Sequence, residues 1–458
     1  MRRYLVCAVL LMSFHLAGSA QNPIIQTYYT ADPAPMVHND TVFLYTTHDE
    51  DTTKNDFFTM YDWRCYSSTD MVNWTDHGAV ASLEDFTWSD KTNGAWAPQA
   101  IERNGKFYLY CPIHGDGIGV LVADSPTGPF RDVLGERFIE SDDIWNDIDP
   151  SVFIDDDGQA YLFWGNPELY YVKLNEDMVS YDKSIGDNGI VSVEMSQDAF
   201  GKNKGEDEEH RTQYTEGPWV YKRNDTYYLV YAAAGIPEYI AYSTAPSIEG
   251  PWEYQGYIMK RADHLAFTNH PGLVDYKGNS YFFYHTHELS DGEGFKRSVS
   301  VEQFDYNDDG SIPLIKPTKE GVKESVSNLN PFNKVEAETI AWSEGLKTAS
   351  NDKTGVYVTN INNGDYIKVR SVDFGKGAKK FQANIATASK GGKIEVRLDD
   401  IDGELLGVCK VKNTGGRQNW DTTSCKLKKA KGVHDLYLVF KGGDDDLFNF
   451  DWWEFKAK

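Results

Sequence analysis

The chain repeats one pattern five times: a polar turn, then a short run in which aromatic and aliphatic residues alternate. The runs are His38–Thr46, Glu102–Tyr110, Asp155–Trp164, Lys222–Tyr231 and Tyr276–Tyr284. A proline stands upstream of each, in Asp32-Pro33, Ala97-Pro98, Asp149-Pro150, Glu216-Gly217-Pro218 and His270-Pro271. From proline to last aromatic the distances are 12, 12, 14, 13 and 13 residues, and the aromatics follow one another at 65, 54, 67 and 53 residues. Alternation with period two is the mark of a strand. Several strands per unit, at a blade-sized interval, predict a five-bladed β-propeller over residues 21–320. Turns such as Asn104-Gly105 and Asp157-Gly158 supply hairpins within the units. No long segment has a helical period, so the fold class is all-β.

From Leu314 to Lys334 the chain carries proline, lysine and serine in place of alternating strands, and residues 321–334 read as a connection. Residues 335–458 then show a new rhythm of short alternating strands, the length of one β-sandwich of the jelly-roll kind. At the other end, Arg2 and Arg3 precede an apolar stretch from Leu5 to Leu16 and the small residues Ala17-Gly18-Ser19-Ala20. Residues 1–20 therefore read as a secretory signal peptide, too short to span a bilayer, and no later stretch is long enough. The expected location is secreted or periplasmic. Beyond the signal lie Cys65, Cys111, Cys409 and Cys425, enough for two disulfides or four isolated thiols. The formal charge is −25, from 70 acidic and 45 basic residues. Such a chain repels phosphate backbones, which argues against nucleic acid and leaves a neutral substrate or a bound cation.

In a propeller the innermost strand of each blade runs along the central channel, so equivalent positions gather around one axis. Asp32, Asp149 and Glu216 hold such positions in blades one, three and four. Carboxylates forced together cannot all ionise, and at least one pKa rises. Glycoside hydrolysis uses that split: one protonated carboxyl donates to the leaving oxygen while an ionised one activates water. Asp155, Asp156 and Asp157, by contrast, sit in a hairpin turn and read as solvated turn residues.

The set Ala31-Asp32-Pro33, Trp96-Ala97-Pro98-Gln99, Ile148-Asp149-Pro150-Ser151, Thr215-Glu216-Gly217-Pro218 and Asn269-His270-Pro271-Gly272 resembles the motifs of glycoside hydrolase family 43. The resemblance spans roughly residues 27–315. It implies a five-bladed propeller that cleaves arabinofuranosides, xylosides or arabinan with inversion. It also implies Asp32 as general base, Glu216 as general acid, and Asp149 as the residue that orients the acid and tunes its pKa. Arg297 resembles the arginine that holds the sugar at the cleavage site; the plainer reading is a strand-end surface arginine. Trp96 and Trp164 are candidate apolar walls for a sugar face, or else blade-packing residues. His270 is the candidate for holding a calcium ion or its waters near the axis, against a plain hydrogen-bonded histidine.

Residues 333–458 resemble carbohydrate-binding module family 6, through Val335-Glu336-Ala337-Glu338, Gly355-Val356-Tyr357-Val358, Asn419-Trp420 and Asn449-Phe450-Asp451. That resemblance implies a structural calcium on Glu336, Glu338 and Asp451, which supply the hard oxygen ligands calcium prefers. It also implies a sugar site with Tyr357 and Trp420 as stacking aromatics and Asn449 as hydrogen-bonding partner. The whole chain then reads as a secreted inverting α-L-arabinofuranosidase acting on arabinoxylan side chains, anchored to plant cell-wall polysaccharide. A β-xylosidase, an arabinanase and a non-catalytic polysaccharide-binding protein are the alternatives.

Overall fold

The structure, a computed structural model, describes residues 21–139, 141, 146–203, 212–444 and 446–457; the predicted signal peptide lies outside them. Between Tyr29 and Phe304 the chain forms five antiparallel sheets in sequence order. Each begins with an inner strand carrying or following one proline motif: Tyr29–His38, Gln99–Arg103, Ser151–Ile154, Tyr214–Arg223 and Gly272–Tyr276. The five aromatic runs form the second strands, Thr41–Asp49, Lys106–Ile113, Ala160–Trp164, Thr226–Ala233 and Asn279–Thr286.

Those second strands are covered on both faces, which is why their alternation joins aromatic to aliphatic rather than apolar to polar. Each blade packs its run on the next. Tyr110 meets Leu162 between blades two and three, and Phe163 meets Leu229 and Tyr231 between three and four. Leu44 of blade one shares a cluster with Phe283 and Val299 of blade five. Every such side chain taken fully out of water contributes about 1.5–3 kcal/mol.

Side chains also stitch neighbouring inner strands. Val152 N donates to Gln99 Oε1 at 3.1 Å, and Val220 N to Ser151 Oγ at 3.0 Å. Gly272 has no room for a side chain, because a Cβ there would stand 2.4 Å from the carbonyl oxygen of Pro33 in blade one. Blade five has only three strands of its own, and the chain's start runs along its outer edge. Ile24 N donates to the Val299 carbonyl at 2.8 Å, and Thr30 N to that of Arg297 at 2.9 Å. Pro33, Pro98, Pro150, Pro218 and Pro271 all line one narrow space of about 20 Å³. The five motifs do converge on one axis.

Residues 335–457 form the sandwich. One sheet orders Lys347–Asn351, Gly355–Thr359, Asn449–Lys456, Ala378–Thr387 and Gly416–Ala430. The other orders Trp342–Glu344, Tyr366–Asp373, Val433–Gly442, Gly392–Leu398 and Glu404–Val411. Their facing apolar residues, among them Val369, Phe381, Val396, Leu438 and Trp453, make one core.

The seam between propeller and sandwich is built of strand pairing and buried charge. Thr339–Ile340 adds to blade one beside Trp74 and Thr75 as a fifth strand. Arg64 and Asp76 of blade one form a buried pair at 3.1 Å, and Thr348 of the sandwich donates to Asp76 at 2.6 Å. The 321–334 segment is held along its length: Arg370 Nη1 donates to the Val322 carbonyl, and Val326 N to that of Asp70. The four cysteines are unbridged thiols.

Candidate active site

Asp32 and Asp149 both stand directly before a proline, and both have positive φ, +52° and +58°. That region is sparsely populated by residues with a Cβ, and the following proline restricts it further. The kink interrupts the pairing between Ala31 and Ala34 and turns the Asp32 side chain toward the axis. Backbone strain of this kind is retained where a side chain must be aimed. In the fourth motif Gly217 takes the same position with φ +57°, and the acid moves one residue back and becomes the longer glutamate. A Cβ on Gly217 would stand 3.0 Å from the His270 ring, so the glycine is fixed by crowding as well as by conformation.

The three acids converge on His270. Its Nδ1 lies 3.4 Å from Asp32 Oδ1, and its Nε2 lies 3.2 Å from Glu216 Oε1 and 3.7 Å from Asp149 Oδ2. Arg297 Nη1 donates to Asp32 Oδ1 at 2.9 Å, and Thr47 Oγ1 donates to Asp32 Oδ2 at 2.9 Å. The same guanidinium grips Asp49 through Nε and Nη2, each at 2.9 Å. Gly217 N donates to Asp149 Oδ2 at 3.1 Å, and Asn166 Nδ2 donates to Glu216 Oε2.

Electrostatics divides the acids. Burial alone would push Asp32 up, but Arg297, then His270 and His285, outweigh it and hold it at about 2. It is therefore ionised near neutral pH. Asp149 goes the other way: burial, with Glu216 and Asp32 as like charges against His270, carries it up to about 7. Burial also works against ionisation of Glu216, yet its hydrogen bond to His270, the ring's charge and Asn166 keep it below its ordinary value. The raised carboxyl is therefore Asp149, and its proton is shared within a coupled cluster rather than owned by one residue. Burial disfavours a charged His270, but Asp149, Asp32 and Glu216 bring it up to about 10. Asp149, Glu216 and His270 place ligand atoms within 4.8 Å of one another, enough for a metal ion. With both ring nitrogens turned to carboxylates, a cation and the second ring proton exclude each other at His270.

A pocket of about 580 Å³ opens over these acids, walled by Trp96, Phe57, Phe58, Phe267 and Phe295. Trp96 lies flat on His114, with ring centroids 3.7 Å apart and planes 10° from parallel. It stands where the apolar-wall reading expects it. Arg297 is in the pocket and 3% exposed, which corrects the surface-arginine alternative. Trp164 is corrected as a wall residue. It is fully buried in the core between blades two and three, and its Nε1 donates to Asp147 Oδ1 at 2.7 Å. The strand alternation that puts Trp164 on the blade-packing face takes it away from the cavity.

Sequence reasoning missed Asp49, Thr47, Asn166 and His285, whose Nδ1 accepts from Asp32 N at 3.3 Å. A signal for three of them exists. Thr47, Asn166 and His285 each lie one or two residues past the last aromatic of their run, Tyr45, Trp164 and Tyr284, where second strands reach the axis. The phenylalanine walls come from loops, Phe57 and Phe58 within blade one, Phe295 within blade five and Phe267 between blades four and five, and carry no such register.

In the sandwich, Tyr357 and Trp420 come together edge to face, with centroids 5.2 Å apart and planes at 71°. Tyr357 is buried, and its hydroxyl accepts from Gln418 at 2.8 Å. Asn449 is buried beside them and spends its amide internally, donating to the Arg417 carbonyl and accepting from Thr359 Oγ1, both at 2.8 Å. Among the calcium candidates, Glu338 Oε2 and Asp451 Oδ1 are buried with no hydrogen-bond partner among the described residues. Burial raises Glu338 well above the usual carboxylate range, with Glu336, Asp76 and Asp451 adding to it. Glu336 is half-buried and pairs with Lys334 at 3.1 Å. Two orphaned carboxylate oxygens are the donor type a hard divalent cation takes, but the ligand oxygens of Glu336, Glu338 and Asp451 are not gathered within 4.8 Å of one another as those of Asp149, Glu216 and His270 are.

Known proteins resemble this chain in both of its regions. The profile of glycosyl hydrolases family 43 matches residues 20–312, and that of the carbohydrate binding module (family 6) matches residues 336–457. The chain is 35% identical to an arabinoxylan arabinofuranohydrolase of Bacillus subtilis (strain 168), over 97% of this chain and 93% of that one. It is 34% identical to an arabinoxylan arabinofuranohydrolase of Paenibacillus polymyxa, over 95% of this chain and 74% of the relative. A crystal structure of a family 43 arabinoxylan arabinofuranohydrolase from Bacillus subtilis, in complex with cellotetraose, superposes with a TM-score of 0.83 at 33% identity. It covers 96% of this chain and 98% of that one.

Proposed function

Because this chain belongs to glycosyl hydrolases family 43 and carries a family 6 carbohydrate-binding module, we propose that it is an exported, inverting α-L-arabinofuranosidase that removes arabinose side chains from arabinoxylan. The observation that carries the reading is the placement of Asp32 and Glu216 on opposite ring nitrogens of His270. One acid is locked ionised by Arg297, and the other lies within reach of a proton.

In the proposed reaction Asp32 takes a proton from water as that water attacks the anomeric carbon. Glu216 protonates the leaving oxygen of the xylose unit. The proton reaches Glu216 from the cluster it shares with Asp149 and His270, whose Nε2 lies 3.2 Å from Glu216 Oε1. Sugar filling the pocket would strip the remaining water from Glu216 and raise its affinity for that proton. One imidazole and two contacts stand between base and acid, which suits the roughly 6.5–9.5 Å gap of inverting enzymes better than the roughly 5–5.5 Å of retaining ones. The aromatic walls suit a neutral sugar ring with C–H-rich faces.

The names of the two relatives support arabinofuranoside over xyloside as substrate. Release of p-nitrophenol from the aryl arabinofuranoside, with little from the aryl xyloside, is the expected result. The reverse preference would make the protein a β-xylosidase, and release from linear arabinan alone would make it an arabinanase. Proton NMR of the first-formed anomer tests inversion. In the module, calcium held by Glu338 and Asp451, with Glu336 released from Lys334, would neutralise the buried acids. Export rests on the apolar segment Leu5–Leu16 and the small residues after it, and is tested by the mature N-terminus of protein recovered from the medium or periplasm.

A further inference from the structure

The active-site pocket has a neighbour. On the far side of the loop that joins the last two strands of blade five, a groove of about 950 Å³ runs between the propeller and the module. Residues 287–297 form a shared wall: Phe295 and Arg297 line the pocket, while His287, Glu288 and Asp291 line the groove. The opposite wall is the edge strand Trp342–Glu344 of the module.

That edge strand is held from both sides. Ser343 pairs with Ile367 within its sheet, and Ser343 N donates to Gln26 Oε1 of the propeller at 3.0 Å. Alternation then leaves Trp342 and Glu344 turned outward, the tryptophan half-buried and the glutamate exposed. Ser343 is 4% exposed, lines the groove, and its hydroxyl has no hydrogen-bond partner among the described residues.

We propose that this groove binds the xylose main chain of arabinoxylan, a neutral β-linked pentosan, as a second polysaccharide site distinct from the Tyr357–Trp420 pair. The proposal rests on the arabinofuranosidase reading above for its choice of polymer. Four observations select that occupant. The wall is an indole ring flanked by carboxylates, the combination that stacks on a pyranose face and accepts from its hydroxyls. The acids Asp263, Glu288, Asp291 and Glu344 outnumber the one lysine, Lys319, so a polyanion is repelled. The groove adjoins the pocket that takes the side chain, so one polymer can serve both. Finally, the Tyr357 and Trp420 rings touch edge to face at 5.2 Å, which leaves no slot for a sugar between them.

The test uses the full-length protein in affinity electrophoresis through gels containing wheat arabinoxylan, together with the ratio of hydrolysis rates on that polymer and on the aryl arabinofuranoside. Trp342→Ala should cut retardation about tenfold and lower the polymer-to-aryl ratio by a similar factor, and Trp342→Phe should restore most of both. Should Trp342→Ala fail to fold, the exposed pair Glu344→Ala and Asp291→Ala decides, with an expected loss of about threefold. Wild-type retardation in these variants overturns the proposal. So does loss of retardation in Trp420→Ala alone, which would return binding to the aromatic pair. If the wild-type protein hydrolyses no arabinofuranoside, the functional reading falls, while retardation still judges the groove.

Discussion

The propeller axis and the module each gather acids away from water, and they settle the charge in opposite ways. At the axis, Asp32, Asp149 and Glu216 surround His270, and Asp32 also pairs with Arg297. Every negative charge there is met by a fixed cation or a retained proton. In the module, Lys334 pairs with Glu336 and Asn384 donates to Asp451, and among the described residues two carboxylate oxygens, one each of Glu338 and Asp451, are left without partners. A site that compensates its charge internally keeps its protonation pattern ready for chemistry. A site that does not must keep a proton or take up a cation.

The sharpest way to break the comparison is to remove the chemistry and keep the charge balance close. Asp32→Ala and Glu216→Ala are each expected to lower kcat/KM on the aryl arabinofuranoside by about 10³-fold or more, with retardation in arabinoxylan gels retained. Near-wild-type rates in either variant would show that the axis acids are compensated for structural reasons alone.

Next in size is the internal cation itself. Arg297→Met leaves Asp32 and Asp49 buried without their guanidinium, and stability should fall by about 3–5 kcal/mol in denaturant unfolding. The pH profile carries the sign. Asp32 has its pKa lowered by folding, so its stabilising contribution is complete above about 3.8 and fades as pH falls toward about 2. Without Arg297 that contribution disappears, and any surviving activity should lose its acid limb at a higher pH. An unchanged acid limb would mean that Arg297 does not set the ionisation of Asp32.

The module is tested from the other side. Chelation with EDTA should lower the Tm of the wild-type protein, and calcium should restore it, the difference at a hundredfold excess over Kd amounting to about 2.7 kcal/mol. Glu338→Gln together with Asp451→Asn should abolish that dependence. If chelation leaves the wild-type Tm in place, the orphaned carboxylates are protonated rather than metal-bound, and the two regions differ less than argued.

How much of this was legible beforehand follows from what repeats. The five prolines and five aromatic runs recur because every blade solves the same packing problem, so blade count and the convergence of Asp32, Asp149, Glu216 and His270 could be read from spacing. Trp164 shows where that reading stops. It ends its run in the same register as Tyr231, yet which face of a strand meets a cavity depends on the neighbouring blade. Asp49 was invisible because its partner Arg297 is 248 residues away. The strand Thr339–Ile340 could not be assigned to blade one from its own residues. Two residues carry no periodicity, and only the docked propeller edge gives them a ladder.

The smallest predicted effect separates catalysis from stability within one residue. Asp149 is raised to about 7 by burial and by its like-charged neighbours, from an ordinary value of 3.8. Below about 4 it is protonated whether the chain is folded or not, and it contributes no pH dependence. Between about 4 and 7 the unfolded chain releases the proton while the folded one keeps it, so stability falls as pH rises. Asp149→Asn removes that loss while keeping an oxygen for the N–H of Gly217. The variant should therefore hydrolyse arabinofuranosides more slowly and yet unfold later. The gain at pH 8 should be about 1–3 kcal/mol, shrinking toward zero near pH 4. His270 titrates in a separate window, between its ordinary 6.5 and about 10, so a gap that closes between pH 7 and 4 belongs to Asp149. A variant that is less stable than wild type at pH 8 would mean that folding does not raise the pKa of Asp149. The shared proton would then have to reside on Glu216 or His270.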